Sequence, residues 1–411
     1  MKKILFISYD GLTDPLGQSQ ILTYIEGLAA GGYKFDILSF EKEDRLRAKG
    51  EEMQKYLDAR GIGWHYFTFG KAGRLLSKAA DLRKMKNNAL ALAKENKYDL
   101  IHCRSYQAAE SALRIQSKMG TPYLFDMRGF WVDERVDGKA WDKSKLIYRL
   151  LYNYYKRLER KMLANATGVI SLTEKAKQEM MSWNISQLKA DNITVIPCSA
   201  DEKHFTIVDN AKRLASRDKL GVPRDAYVLG YLGSIGSWYL LPEMLTFFKQ
   251  LKQVKKNAVF LFITPSPANM VLEKAREMGL EEKDIYITSA TRAEVPAMIH
   301  AFDCGISFIM PSYSKIASSP TKMGELLISG IPIVVNSGVG DVKEIMESYG
   351  TGVVLDDFSE TSVERGVAAL DGLQNVSPTS IRNKALEYYK ITSAFDRYRQ
   401  MYNRIWTTAK V

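Results

Sequence analysis

Short, continuous apolar runs alternate along this chain with longer stretches in which apolar residues recur every three or four positions. Residues 4–8, 35–40, 65–69, 98–103 and 122–125 are runs dominated by Ile, Leu, Phe and Tyr. That is the pattern of strands covered on both faces. Between them the period lengthens. Ile21, Leu22, Ile25, Leu28 and Ala29 mark one face of a helix that Gly31 and Gly32 end. Residues from about 74 to 95 read as a helix rich in Lys and Arg. Residues 143–162 carry a stripe of Leu146, Ile147, Leu150, Leu151, Tyr154, Leu158 and Met162. Strands over 167–171 and 193–197 close this half. The charged stretch 209–218, with Gly221-Val222-Pro223 behind it, reads as a linker. The rhythm then restarts, with strands over 227–232, 259–263, 284–288, 304–309 and 331–335. A final helix over 392–407 carries Phe395, Tyr398, Met401, Tyr402 and Ile405 on one stripe. Alternating strands and helices of this length predict an α/β protein with parallel sheets in two Rossmann-like domains.

Composition narrows the class. The 411 residues are 46% hydrophobic and 26% charged, as in a soluble globular protein with two real cores. No apolar run approaches the roughly 20 residues of a membrane span. Met1-Lys2-Lys3 precedes an apolar run that Asp10 cuts short, which reads as a first strand and not a signal peptide. Three cysteines and four histidines are scattered without ligand spacing. Buried free thiols in a reducing cytoplasm are the expectation, with no metal site. The net charge of +11 favours an anionic partner. No nucleic-acid-binding module is recognisable.

The densest chemistry lies in Ser318-Ser319-Pro320-Thr321-Lys322-Met323-Gly324-Glu325, followed by Leu326 to Val335. It reads as loop, helix, turn and strand, with Ser318 and Ser319 as candidate N-caps and Pro320 in the first turn. A helix N-terminus offers free N–H groups and partial positive charge to a phosphate. Lys322 adds a cation there. Glu325, one turn on, is placed to accept hydrogen bonds from ribose hydroxyls. A capped helix with Lys322 and Glu325 solvated is the plainer reading. Elsewhere, the loop 9–20 follows the first strand, and its Gly17, Gln18 and Ser19 lie where an open α/β sheet binds ligands. Asp126-Met127-Arg128-Gly129-Phe130-Trp131, with Asp133, Glu134 and Arg135, ends another strand in charge and aromatics. It is an acceptor-site candidate together with Arg104. Internal Asp126–Arg128 pairing with Trp131 as packing is the alternative.

The 318–335 stretch resembles the donor-site motif of GT-B glycosyltransferases, above all the retaining family 4. Glu325 matches the second glutamate of that motif, and Gly330, Pro332 and Val334 match its tail. The first glutamate falls on Ala317, so the chain is similar to a subset with a Ser-Pro-Thr-Lys-x-x-Glu motif. Gly233 and Gly236 match in character a family segment whose Arg and Lys hold the diphosphate. Ser234, Ser237 and Trp238 stand in place of that basic pair. Phosphate binding then falls to backbone N–H groups, serines and Lys322. Pro197-Cys198-Ser199-Ala200-Asp201 and Val339-Gly340-Asp341 with Glu344 resemble further family segments.

The resemblance implies a GT-B fold of two Rossmann-like domains facing a cleft: residues 1–205 for the acceptor, 206–390 for the nucleotide sugar, and 391–411 as a helix returning to the first. It implies transfer of a sugar from a nucleoside diphosphate, UDP favoured and GDP possible, to an acceptor hydroxyl on a saccharide or lipid-linked glycan. Surface polysaccharide or glycolipid synthesis in the cytoplasm is the expected setting, without metal, and with the basic helix 143–162 against an anionic membrane surface. Donor contacts are expected from Gly17, Gly233, Ser234, Arg292, Ser318, Ser319, Thr321, Lys322 and Glu325. Acceptor contacts are expected from Gln18, Arg104, Arg128, Trp131 and Glu134. Asp126 or Arg128 stands where many family members have a histidine, and with Lys322 they form the catalytic set. A sugar-nucleotide epimerase on the same fold, or an inactive nucleotide-binding partner subunit, are the rivals.

Overall fold

The computed structural model describes residues 1–70 and 74–408. The chain forms two compact units, Met1–Ile196 with Thr392–Val411, and Pro197–Ile391. The first holds a seven-stranded sheet: β1 (Lys3–Ser8), β2 (Lys34–Glu41), β3 (Gly63–Thr68), β4 (Leu100–Arg104), β5 (Tyr123–Asp126), β6 (Gly168–Ser171) and β7 (Ile193–Val195). Their order is β3-β2-β1-β4-β5-β6-β7, and β1 pairs in parallel with both β2 and β4. The second unit holds β8 (Tyr227–Leu232), β9 (Ala258–Ile263), β10 (Ile285–Thr288), β11 (Cys304–Ser307), β12 (Ile333–Asn336) and β13 (Gly352–Leu355). Their order is β10-β9-β8-β11-β12-β13. In both sheets the winding reverses beside the first strand, and ligand crevices form outside the carboxyl ends of strands at such points. Those ends are Ser8 and Arg104 in one unit, Leu232 and Ser307 in the other.

The apolar runs become strands because helices cover both sheet faces. Every residue of β9 is buried, as are those of β4, β5 and β6. Cys103, Cys198 and Cys304 are buried and form no disulfide. Among the described residues no helix is long and apolar enough to cross a membrane.

Three local expectations change. The helix after β1 does not wait for Ile21. It starts as Pro15–Gly17, passes through a π turn at Gln18–Leu22, and continues as Thr23–Ala29. Gly17 is therefore helical, and a Cβ there would lie 1.9 Å from the Gly11 carbonyl oxygen. The loop's own backbone accounts for that glycine. The Ser19 hydroxyl donates to the Leu16 carbonyl at 3.4 Å. Second, the charged stretch 209–218 is no linker but the helix Asn210–Leu220, capped by the Asp209 carboxylate on the Lys212 N–H. One of its charges is inward: buried Arg217 pairs with Asp303 at 2.6 Å. Third, the helix Thr321–Ile328 takes Pro320 as its N-cap residue, without a side-chain cap. Ser319 instead accepts a hydrogen bond from the Cys198 N–H at 3.2 Å. The proline ring fixes φ, here at −70°, which suits the entry to a helix, and the Pro320 carbonyl accepts from the Met323 N–H.

Candidate functional site

In the second unit, β8 runs out at Leu232 and turns sharply at Gly233, whose φ is +110°. The Gly233 N–H donates to the Ile263 carbonyl at the end of β9. A side chain there is excluded twice. The backbone is left-handed, and a Cβ would sit 3.2 Å from the Lys322 ammonium. The loop is pinned further on: Ile235 N–H to the Ser266 hydroxyl, Leu240 N–H to the Phe308 carbonyl, Met310 N–H to the Trp238 carbonyl.

Lys322, in the first turn of Thr321–Ile328, is 8% exposed. Its Nζ donates to the Tyr231 hydroxyl at 3.1 Å and lies 4.2 Å and 3.9 Å from the ring centres of Tyr231 and Tyr239. Tyr231 passes the chain of contacts on, donating to the Ser234 carbonyl at 2.7 Å. The rings solvate the cation by their π faces, but only in part. Burial pulls the Lys322 pKa down to about 7, against the pull of Glu325. Glu325 mirrors it: burial pushes its carboxyl up to about 7, with Arg292 and Lys322 opposing. Arg292 Nη1 stands 3.6 Å from Glu325 Oε1. Glu294, the plainer partner for Arg292, turns back onto the Thr291 N–H and hydroxyl. Arg382 secures the far end of the helix by donating to the Ile328 and Phe205 carbonyls. A cation, a carboxylate and a second cation are thus held around one helix N-terminus beside a glycine turn. Ser318 and Thr321 border it half-buried, and Ser234 is exposed.

The first unit gathers another charged cluster where β4 and β5 end. Asp126 is buried, and its Oδ2 accepts from the Tyr398 hydroxyl at 3.1 Å. His102 Nε2, Arg104 Nη1 and Arg128 Nη1 face its two oxygens at 3.7, 3.9 and 3.8 Å. Burial works against the Asp126 charge, but Arg128, His102 and Arg104 outweigh it and hold the pKa below the usual range. Burial holds His102 below its usual value, in the neutral form. Its Nδ1 meets the Tyr402 hydroxyl at 2.7 Å. Arg128 reaches this position with φ at +57°, a conformation side-chain-bearing residues avoid. It donates to Gln20 Oε1 at 3.2 Å.

The sequence-derived residues divide accordingly. Gly233, Ser234, Arg292, Ser318, Ser319, Thr321, Lys322 and Glu325 share the second unit. Arg104, Asp126 and Arg128 cluster in the first. Gln18 faces a separate cavity with Glu26, Lys49 and Glu52; Gln20 is the glutamine that holds Arg128. Trp131 packs among Tyr106, Trp141 and Tyr155 with ring centres 5.2–5.6 Å away. Glu134 is half-buried on the helix Trp131–Asp137. His102 and Tyr231 were missed, although His102 lies two residues before the chosen Arg104 on the same face of β4, and Tyr231 lies two residues before the chosen Gly233, near the end of β8. Among the described residues no group of His, Cys, Asp and Glu is arranged to hold a metal ion.

Residues 17–199 match the Glycosyl transferase 4-like domain, and residues 212–377 match the Glycosyl transferases group 1 family. The chain is a GT-B glycosyltransferase. Among curated relatives, the D-inositol 3-phosphate glycosyltransferase of Stackebrandtia nassauensis is 24% identical over 353 residues, 82% of this glycosyltransferase and 75% of the relative. Among solved structures, sucrose-phosphate synthase from Thermosynechococcus elongatus superposes with a TM-score of 0.73 at 16% identity, covering 99% of this chain and 100% of that one. HepE from Anabaena, solved with UDP and glucose, gives 0.71 at 15% identity over 98% and 100% of the two chains. At such identities the structural likeness speaks for the fold.

Proposed function

We propose that this glycosyltransferase is a retaining enzyme of family 4 that uses a UDP-sugar and glycosylates a hydroxyl of a saccharide or lipid-linked glycan in surface polysaccharide or glycolipid synthesis. The observation that carries the donor half is Lys322 at a helix N-terminus, one turn before Glu325 and beside the Gly233 turn. The lysine and the first-turn N–H groups suit a diphosphate. The glutamate suits the ribose hydroxyls, with Arg292 orienting it. HepE, solved with UDP and with UDP-glucose, favours the uridine nucleotide by likeness of fold. The acceptor oxygen bonds to the anomeric carbon on the face that the diphosphate leaves. The carbon–oxygen bond to the diphosphate breaks, and the acceptor proton passes to a departing phosphate oxygen. Lys322 neutralises the charge that builds on that group, so the reaction needs no divalent cation. In the first unit, Asp126 and Arg128 are assigned to the acceptor side, with Arg104.

A thermal-shift series with UDP, GDP, ADP and TDP in the presence of EDTA tests the donor half. UDP alone is expected to raise the midpoint, by the equivalent of about 2.7 kcal/mol at a hundred times its Kd. Glu325→Ala is expected to abolish that shift without unfolding the protein. No shift with any nucleotide in a folded sample would remove the donor assignment.

Affinity is also expected to peak near neutral pH. Above pH 7 Lys322 loses its proton, and an anionic diphosphate must bind with proton uptake. Affinity then falls by up to about tenfold per pH unit. Below pH 7 Glu325 is protonated and no longer a charged acceptor. Calorimetric titration with UDP-glucose, whose diphosphate does not titrate here, reads this from pH 6 to 9. A flat profile on the alkaline side would mean that Lys322 keeps its proton across this range in the free protein or does not meet the phosphates.

A further inference from the structure

Trp131 carries two cations on its ring. Lys78, from the helix Arg74–Asn96, places its Nζ 4.7 Å from the ring centre. Arg135, one turn after Trp131 on the helix Trp131–Asp137, places its guanidinium carbon at 5.1 Å. Both side chains are half-buried. Like charges this close repel, and the chain gives neither of them a carboxylate. Among the described residues neither side chain has an ion pair or a hydrogen bond, and the Arg135 Nε is buried without one. Glu110, whose charge reaches Lys78, is already held by Lys86 Nζ at 2.9 Å. Asp133, on the same short helix as Arg135, accepts from the Tyr152 hydroxyl and Lys156 Nζ at 2.8 and 2.9 Å. Burial and the neighbouring Arg135 pull the Lys78 pKa down to about 8, with Glu110 opposing.

Packing alone does not call for this pair. The π face of Trp131 offsets part of the cost of burying each cation, but it leaves their mutual repulsion in place. A bound anion removes it. The arginine fork and the lysine point charge together suit a phosphate. A phosphate dianion matches two cations, whereas a single carboxylate leaves one of them uncompensated. Trp131 follows Arg128 by three residues, a span of no more than roughly 11 Å, so the pair stands close to the Asp126 and Arg128 cluster. We infer that Lys78 and Arg135 bind a phosphate group carried by the acceptor, with Trp131 as the floor of the subsite. The acceptor half of this inference rests on the assignment of Asp126 and Arg128 to the acceptor; the binding of phosphate does not.

Acetylation of the full chain with trace acetic anhydride at pH 8, read by peptide mass spectrometry, tests it without nucleotide. Half-neutral at that pH, Lys78 is expected to react at least about tenfold faster than ordinary surface lysines. Inorganic phosphate is expected to slow it about fivefold, since a bound dianion raises the pKa by a unit or more. Sodium chloride of equal ionic strength is expected to leave the rate unchanged, as is glucose. Glucose 6-phosphate and farnesyl phosphate tell a phosphorylated sugar from a phosphorylated lipid carrier, and one of the two is expected to protect at lower concentration than inorganic phosphate. Arg135→Gln is expected to lose the protection. It should also slow the acetylation of Lys78 by itself, because the like charge that holds its pKa down is gone. Lys322→Met is expected to keep the protection, which separates this subsite from phosphate bound at the donor helix. Absence of any nucleotide shift, the failure of the donor reading, leaves this readout untouched. No protection by inorganic phosphate, or equal protection by sodium chloride, overturns the site. Protection by inorganic phosphate with none from either ester overturns its assignment to the acceptor.

Discussion

Lys322→Met is expected to lower kcat by about 10²–10³-fold, as removal of a single preorganised charge stabiliser does elsewhere. The expected change in stability has the opposite sign. Lys322 spends burial to sit between Tyr231 and Tyr239, which is why its pKa falls to about 7. Methionine fills the same space between the two rings and brings no charge to desolvate. The melting midpoint of the free enzyme should therefore hold or rise while turnover collapses. A simple packing role for Lys322 predicts neither half of this pair. A kcat within tenfold of wild type, measured as sugar transfer or as slow hydrolysis of UDP-glucose, would sink the leaving-group role.

Asp126→Ala is expected to be the most destabilising single change in the first unit, by about 3–5 kcal/mol in chemical denaturation. The carboxylate stands under Arg104, Arg128 and His102 and accepts from Tyr398. Without it, Arg104 and Arg128 lose the buried carboxylate they share, and Arg104 is left facing the more exposed Asp10 at 3.6 Å. The pH dependence of the wild type follows from the same cluster. The folded pKa of Asp126 lies below the 3.8 of a free aspartate. Its contribution is therefore fully present above that value and is lost as pH falls through the folded one. His102 has a folded pKa below 6.5, so the unfolded chain takes up a proton first as pH drops. Stability should decline from about pH 6.5 downward, with the aspartate loss added below pH 4. An unchanged denaturation midpoint for Asp126→Ala would contradict this account of the cluster.

The architecture was open to reading because parallel strands leave continuous apolar runs, as in Val259-Phe260-Leu261-Phe262-Ile263, and the connecting helices leave a longer period. The helix Thr321–Ile328 was equally legible: its chemistry is consecutive in sequence, so Lys322 and Glu325 share a helix end without help from the fold. Local chemistry hidden under charge was not. Asp209 caps a helix and Arg217 is buried in it, yet both sit in a run that looks like a solvated linker. Contacts across the chain were invisible for a different reason. His102 meets Tyr402 over a separation of 300 residues, and Asp126 meets Tyr398 over 272. No periodicity encodes such a meeting; the tail shows only an apolar stripe, and the stripe does not say which strand end its tyrosines reach. Tyr239 on Lys322 belongs to the same class. At Gly17 a Cβ would meet the Gly11 carbonyl of its own loop, a close approach that the sequence pattern does not announce.

The tail also sets an order of events in synthesis. The second unit, Pro197–Ile391, is contiguous, whereas the first needs Thr392–Val411 as well. Tyr398, Met401, Tyr402 and Ile405 are buried in that first unit. On a ribosome the first 196 residues emerge early but wait for the whole of the second unit to be made before these side chains arrive. During that interval His102 and Asp126 stand without their tyrosines, and the sheet lacks one of its covering helices. Domains ordinarily fold in the order they are made. Here the first to emerge is the last to close, and a nascent or truncated chain exposes its unfinished side in the half that carries Asp126 and Arg128.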